Sequence, residues 1–166
     1  MLKVKQLKYK FDKTTFEFNF DLTDNNIVGV IGKSGSGKST LFNLLAGFLK
    51  PNNGSIFLNE NNITYLKPPE RNISILFQDH NNFDHLTIFE NIILGIDPDM
   101  KQNQNNFKIV KNIMKKVSLN IDLNKKVSDL SGGEQQRVSI ARSLLRKKSL
   151  FLLDEPFNSL DPGLRK

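Results

Sequence analysis

Ile27-Val28-Gly29-Val30-Ile31-Gly32-Lys33-Ser34-Gly35-Ser36-Gly37-Lys38-Ser39-Thr40 is the stretch on which the fold of this chain turns. Its first five residues are a short, continuous apolar run of the kind found in strands buried on both faces of a parallel sheet. From Gly32 to Ser39 the chain fits G-x-x-x-x-G-K-[ST], the phosphate-binding loop pattern. Leu41, Leu44, Leu45 and Phe48 follow at helical spacing. The expected order is therefore buried strand, glycine loop, helix. Glycines in the loop let successive backbone N–H groups curl around an anion, and the helix start adds its positive end. Lys38 supplies a point charge for β and γ phosphates, and Ser39 a hydroxyl for Mg²⁺.

Outward from this stretch the pattern is that of an α/β domain. Residues 15–20 alternate strictly, with Phe16, Phe18 and Phe20 on one side and Thr15, Glu17 and Asn19 on the other, which predicts a half-buried antiparallel strand. Residues 55–58 and 73–77 read as further strands, the latter stopping at Gln78. From there to about Val127 the character is helical. Phe89, Ile92 and Ile93 predict one helix, and Ile109, Val110, Ile113, Met114 and Val117 another, across a polar loop at 97–106. Ser131 opens a longer helix with Val138, Ala141, Leu144 and Leu145 on its apolar face. Leu150-Phe151-Leu152-Leu153 reads as a buried strand ending on Asp154-Glu155, the place where α/β ligand sites lie. Asp154 can hold Mg²⁺ there, usually through water, and Glu155 can polarise an attacking water as a general base.

Composition bounds the function. The chain has 166 residues, enough for one domain with an apolar core, and 38% of them are hydrophobic. No apolar run approaches the roughly 20 residues that cross a bilayer. Residues 1–10 alternate lysine with apolar residues, unlike a signal peptide, so the expected compartment is the cytoplasm. With no cysteine, disulfides, thiolate catalysis and Cys-ligated zinc are excluded. The net charge of +7 is spread along a chain rich in Lys, Asn, Ile and Phe, as AT-rich coding gives. We read it as composition rather than as a nucleic-acid surface.

Leu130-Ser131-Gly132-Gly133-Glu134-Gln135-Gln136-Arg137 carries the second motif. Ser131 and Glu134 form a capping box, S-x-x-E. Two glycines in the first turn cost about 1 kcal/mol each against alanine, which a plain cap does not need. A helix start that meets a phosphate backbone-first does need them. With this motif in place the chain resembles the ATP-binding-cassette (ABC) ATPases along its whole length. The resemblance implies a P-loop NTPase fold, α/β, with an antiparallel β layer and an inserted helical subdomain. Residues 1–77 and 136–166 would be the ATPase core, and residues 78–135 the helical subdomain with the signature.

The same resemblance implies ATP and Mg²⁺ as cofactors and a head-to-tail dimer of two such subunits. Gly32, Lys33, Ser34, Gly35, Ser36, Gly37, Lys38, Ser39 and Thr40 would hold ATP. Ser131, Gly132, Gly133 and Glu134 would close over the ATP of the partner copy. Phe11, or Tyr9 in its place, matches the aromatic that stacks on adenine. Glu155 and Gln78 match the catalytic pair, and Ser39, Gln78 and Asp154 the metal ligands. Asn158-Ser159-Leu160-Asp161 matches the loop that crosses the dimer interface.

Within the family, LFNLLAGFL (41–49) and LFQDHNNFDHLTIFENIILG (76–95) look like the ATP-binding subunits of bacterial importers for thiamine and thiamine pyrophosphate. Importers for iron, sulfate, molybdate or polyamines share parts of these segments. The implied partners are permease subunits and a periplasmic or extracellular solute-binding protein, with no nucleic acid. The implied location is the cytoplasmic face of the inner membrane, peripheral through the permease. Two other classes remain open: a non-catalytic remnant, and a soluble cassette protein acting on nucleic acid.

The chain departs from the family pattern after Asp161. Family members continue, with a histidine that contacts the γ-phosphate, whereas His80 and His85 both precede the signature. A later strand normally lies between residues 27–31 and 150–153. The expectation is an incomplete domain lacking C-terminal strands, from a fragment or a truncated gene. Both apolar runs would then be left unpaired, and the chain alone would be poorly soluble and without turnover.

Overall fold

The alternating segment around Phe16, Phe18 and Phe20 is a strand in the computed structural model, which describes residues 1–77 and 82–154. Two units are present, Met1–Ile73 and Ser74–Lys166, and each has its own buried residues.

In the first unit, β1 (Leu2–Phe11) and β2 (Thr14–Leu22) form an antiparallel hairpin that closes at the Phe11↔Thr14 pair. The three phenylalanines of β2 are half-buried and its polar residues exposed, as period-two alternation requires. β3 (Asn53–Leu58) pairs antiparallel with the other edge of β1, and the two-residue β4 (Asn61–Asn62) completes the order β2-β1-β3-β4. Leu2, Val4 and Leu7 of β1 and Ile56 and Leu58 of β3 are buried. Helix α1 (Lys38–Ala46) buries Leu41, Leu44 and Leu45. Phe48, expected on that apolar face, lies beyond the helix and is 53% exposed.

The apolar run at 27–31 forms no strand, which corrects the sequence expectation of a strand buried on both faces. Ile27 and Ile31 are fully exposed, and Val28 and Val30 half-exposed. The reason lies in pairing. A strand persists only where neighbours take its N–H and C=O groups, and among the described residues no strand pairs with this one.

The second unit is built on three helices. α2 (Ile88–Ile93), α3 (Gln104–Lys116) and α4 (Gly132–Leu145) enclose a core of Ile88, Phe89, Ile92, Val110, Ile113, Val138 and Ala141, among others. Phe89 stacks on Phe107 at 4.5 Å between ring centroids. Leu144, expected on the buried face of α4, is 42% exposed. β5 (Ile73–Leu76) pairs with β6 (Leu150–Leu153), and the Asp154 N–H donates to the Leu76 carbonyl at 2.9 Å. β6 is less buried than its composition implies: only Leu152 is inside, and Leu153 is exposed. Among the described residues β6 has one partner strand, β5, and so one covered edge.

Candidate functional site

The glycine loop leads directly into α1. Lys38, the first residue of the helix, folds its ammonium back over the loop and donates to the carbonyls of Gly32 at 2.8 Å and Lys33 at 3.0 Å. The Ser36 N–H closes a turn on the Lys33 carbonyl at 3.2 Å. Gly32, Lys33, Ser34, Gly35, Ser36 and Ser39 are exposed, Lys38 and Thr40 half-buried, and Gly37 buried. Gly37 caps the helix with φ of 94°, a left-handed conformation that favours glycine. A Cβ there would stand 2.6 Å from Cδ1 of Phe16, so β2 packs against the helix start. Phe16 is thus part of the loop's support, a role that its place in an alternating strand did not announce.

The start of α1 is left open. No side chain caps it and its first turn holds no acid. The other α-helices differ. Thr87 accepts from the Glu90 N–H at the start of α2, and Asn103 from the Asn106 N–H at the start of α3. At α4 the Glu134 carboxylate accepts from both the backbone N–H and the hydroxyl of Ser131, each at 2.8 Å. The first N–H groups of an α-helix have no partner inside the helix. In α1 those of Lys38, Ser39 and Thr40 are left to an outside acceptor, beside an ammonium and the positive helix end. This donor set fits a polyphosphate.

Phe11 ends β1 at the hairpin turn of the same unit and is 66% exposed, whereas Tyr9 is half-buried. In the second unit, Ser131, Gly132, Gly133 and Glu134 form the start of α4. Among the described residues a Cβ on Gly132 or Gly133 would meet nothing within 4 Å, so packing against them does not account for either glycine. The two Ser131 bonds, the hydroxyl's first, hold the Glu134 carboxyl below the usual carboxylate range. Asp154 lies just past β6. Gln78, His80, Glu155 and the 158–161 loop fall outside the described residues.

The sequence profile described as ABC transporter matches residues 16–158. The chain belongs to the ABC transporter family. The thiamine import ATP-binding protein ThiQ of Aliivibrio fischeri is 42% identical over 166 residues, covering all of this chain and 71% of that protein. ThiQ of Histophilus somni is 46% identical over 158 residues, covering 94% of this chain and 74% of its own length. Among solved structures, MJ1267, an ATP-binding cassette of an ABC transporter, superposes with a TM-score of 0.85 at 25% identity. The match covers 98% of this chain and 72% of that one. MJ0796, an ATP-binding cassette seen as a dimer in a post-hydrolysis state with ADP and Pi, gives 0.79 at 28% identity, over 98% and 77%. This ABC protein is therefore an ATP-binding transport ATPase with the P-loop fold. No helix among its described residues is long and apolar enough to cross a membrane.

One group in this ABC cassette escaped the sequence reading. Asn91 of α2 is fully buried. Its amide donates to the carbonyls of Phe83, Leu86 and Thr87, and its oxygen accepts from the Phe83 N–H at 2.9 Å. Asn82 donates to the Gln135 carbonyl at 2.8 Å and accepts from the Ser139 hydroxyl at 2.7 Å. Arg142 lies over the Phe83 ring at 5.5 Å. The segment from Asn82 is thereby tied to the signature helix α4. The asparagines gave no signal in sequence, since Asn is common throughout this chain, in loops, strands and helices alike.

Proposed function

We propose that this chain is the ATP-hydrolysing subunit of a bacterial importer for thiamine or thiamine pyrophosphate. The observation that carries the ATP assignment is the open start of α1, with the Lys38 ammonium held over the Gly32 and Lys33 carbonyls. Residues 32–40 take the phosphates, and Phe11 presents the exposed ring on which adenine stacks. Ser39, Asp154 and Gln78 are the hard oxygen donors we assign to Mg²⁺, which would neutralise phosphate charge when bound. Glu155 is the assigned general base and Gln78 the second catalytic residue. Ser131, Gly132, Gly133 and Glu134 address the ATP of a second copy in a head-to-tail dimer. Residues 1–77 and 136–166 serve as the ATPase core, and residues 78–135 as the helical subdomain.

Substrate and partners rest on similarity to ThiQ proteins over the whole chain. On that reading the partners are permease subunits and an external solute-binding protein, with the ATPase held at the cytoplasmic face of the membrane. Lys38→Ala tests the ATP site. It removes charge-assisted bonds worth about 1.5–3 kcal/mol each, so MgATP binding by calorimetry should weaken about tenfold or more. Unchanged binding would remove the site assignment. ATPase stimulation by thiamine-loaded binding protein, measured with the cognate permease in vesicles, tests the substrate, and stimulation by another solute alone would reassign it.

A further inference from the structure

Arg71 is buried to 2% exposure, yet none of the three ion pairs among the described residues includes it. Its guanidinium is satisfied by carbonyls instead. Nη1 donates to Leu44 at 2.7 Å and Leu45 at 2.6 Å, Nη2 to Thr64 at 2.9 Å, and Nε to Leu66 at 2.9 Å. Leu44 and Leu45 lie in the last turn of α1, where carbonyls have no partner inside the helix and the negative end of the helix dipole favours a cation. The neighbouring Asn43 carbonyl accepts from the N–H groups of Gly47, Phe48 and Leu49, and the Leu44 carbonyl takes a second, longer bond from the Gly47 N–H at 3.3 Å. Gly47 makes room for the guanidinium: a Cβ there would stand 2.6 Å from Arg71 Nε and 2.8 Å from Cζ.

We propose that Arg71 is a positioning residue for the phosphate loop, fixing α1 at its far end so that Lys38 and the open helix start stay aimed at the nucleotide. The proposal rests on the phosphate-site reading above. One end of α1 carries the loop and the other is held by this side chain, which also pins the turn at Thr64 and Leu66. The lever is long. At 1.5 Å per residue, nine residues span about 13.5 Å, so a tilt of about 5° at the Arg71 end moves Lys38 by about 1.2 Å. Displacements of about 1 Å can cost about a hundredfold in the rate of a preorganised site, and the same shift draws Lys38 out of hydrogen-bond reach of a phosphate. Lysine cannot replace the fork, because an ammonium on a flexible stem cannot reach the four carbonyls in one plane.

The test measures MgATP binding by calorimetry on Arg71→Lys, on Arg71→Ala with and without low-millimolar guanidinium, and on Lys38→Ala with and without Arg71→Lys. Each is measured well below its own melting temperature. The expected result is about tenfold weaker binding in folded Arg71→Lys. Guanidinium should restore affinity to Arg71→Ala and not to Lys38→Ala, and adding Arg71→Lys to Lys38→Ala should weaken binding by less than Arg71→Lys does in the parent. A folded Arg71→Lys with a lowered melting temperature and parental affinity would overturn the proposal, leaving Arg71 a packing residue. Failure of both Arg71 variants to fold would do the same. Parental binding in Lys38→Ala would instead overturn the phosphate-site reading and this proposal with it.

Discussion

Replacing Gly132 with aspartate separates what the start of α4 does for its own chain from what it does for a partner. Among the described residues an added Cβ meets nothing within 4 Å, so the chain leaves room at this position. The change is also mildly favourable. Aspartate gains about 0.3 kcal/mol of helix propensity over glycine, and a carboxylate in the first turn of a helix gains about 0.3–1 kcal/mol from the dipole. The isolated protein should therefore melt about 1–5 °C higher, at roughly 2–4 °C per kcal/mol for a chain of this size. In the proposed head-to-tail dimer the same carboxylate would face a partner's γ-phosphate and be repelled. Two like charges about 4 Å apart at an effective dielectric of about 20 cost about 4 kcal/mol, close to a thousandfold in association. Thermal melting, calorimetry with MgATP, and sedimentation with and without MgATP read the three quantities. Gly132→Asp should melt at or above the parent, bind MgATP as the parent does, and fail to dimerise. ATP-driven dimerisation at parental strength would refute the reasoning. So would loss of ATP binding by the monomer, since the glycines would then serve only their own helix.

Two further outcomes follow from the capped and buried groups of the second unit. Asn91→Leu removes the partner of three carbonyls and one N–H in a fully buried place. The loss should be about 1–3 kcal/mol, read as a lower urea midpoint at unchanged slope, and an unchanged midpoint would deny the network its role. Glu90 and Glu134 titrate below their ordinary 4.5, Glu90 chiefly through the Thr87 N–H and Glu134 chiefly through the Ser131 hydroxyl. Because the folded value lies below the unfolded one, their stabilisation is complete above about pH 4.5 and is lost as pH falls through the folded value. The urea midpoint of the parent should drop below pH 4.5 more steeply than that of Glu90→Gln/Glu134→Gln. Parallel curves would exclude these two carboxylates as the cause.

How far each part could be read in advance depended on the range of the interactions that make it. β2 was legible because a half-buried strand writes its period into neighbouring residues. The glycine loop leading into α1 and the capping box of α4 were legible because each is written within eight residues. Residues 27–31 were misread because an apolar run states only that a strand is possible, whereas the pairing that makes it one comes from other parts of the chain. Leu144 failed for a related reason: helical spacing gives a stripe, and the width of the stripe that is covered depends on what packs there. Arg71 and Asn91 were invisible because each is defined by main-chain carbonyls, which every residue carries and no sequence pattern marks. Of the catalytic pair, Gln78 and Glu155 both lie outside the described residues, so their assignment rests on the motif alone.

The open start of α1 has a consequence for how this protein lives in a cell. A helix whose first turn lacks a cap frays readily, and here that turn carries Lys38, the residue we assign to the nucleotide phosphates. Bound nucleotide then does what threonine and asparagine do for α2 and α3. It completes secondary structure, and at a hundredfold excess over its dissociation constant it adds about 2.7 kcal/mol to stability. Such an increment, set against a total margin of about 5–15 kcal/mol, ties the lifetime of the protein to the energy state of the cell. On the proposed phosphate site, a chain without nucleotide would be easier for proteases to open than one with it, beginning at the uncapped start of α1.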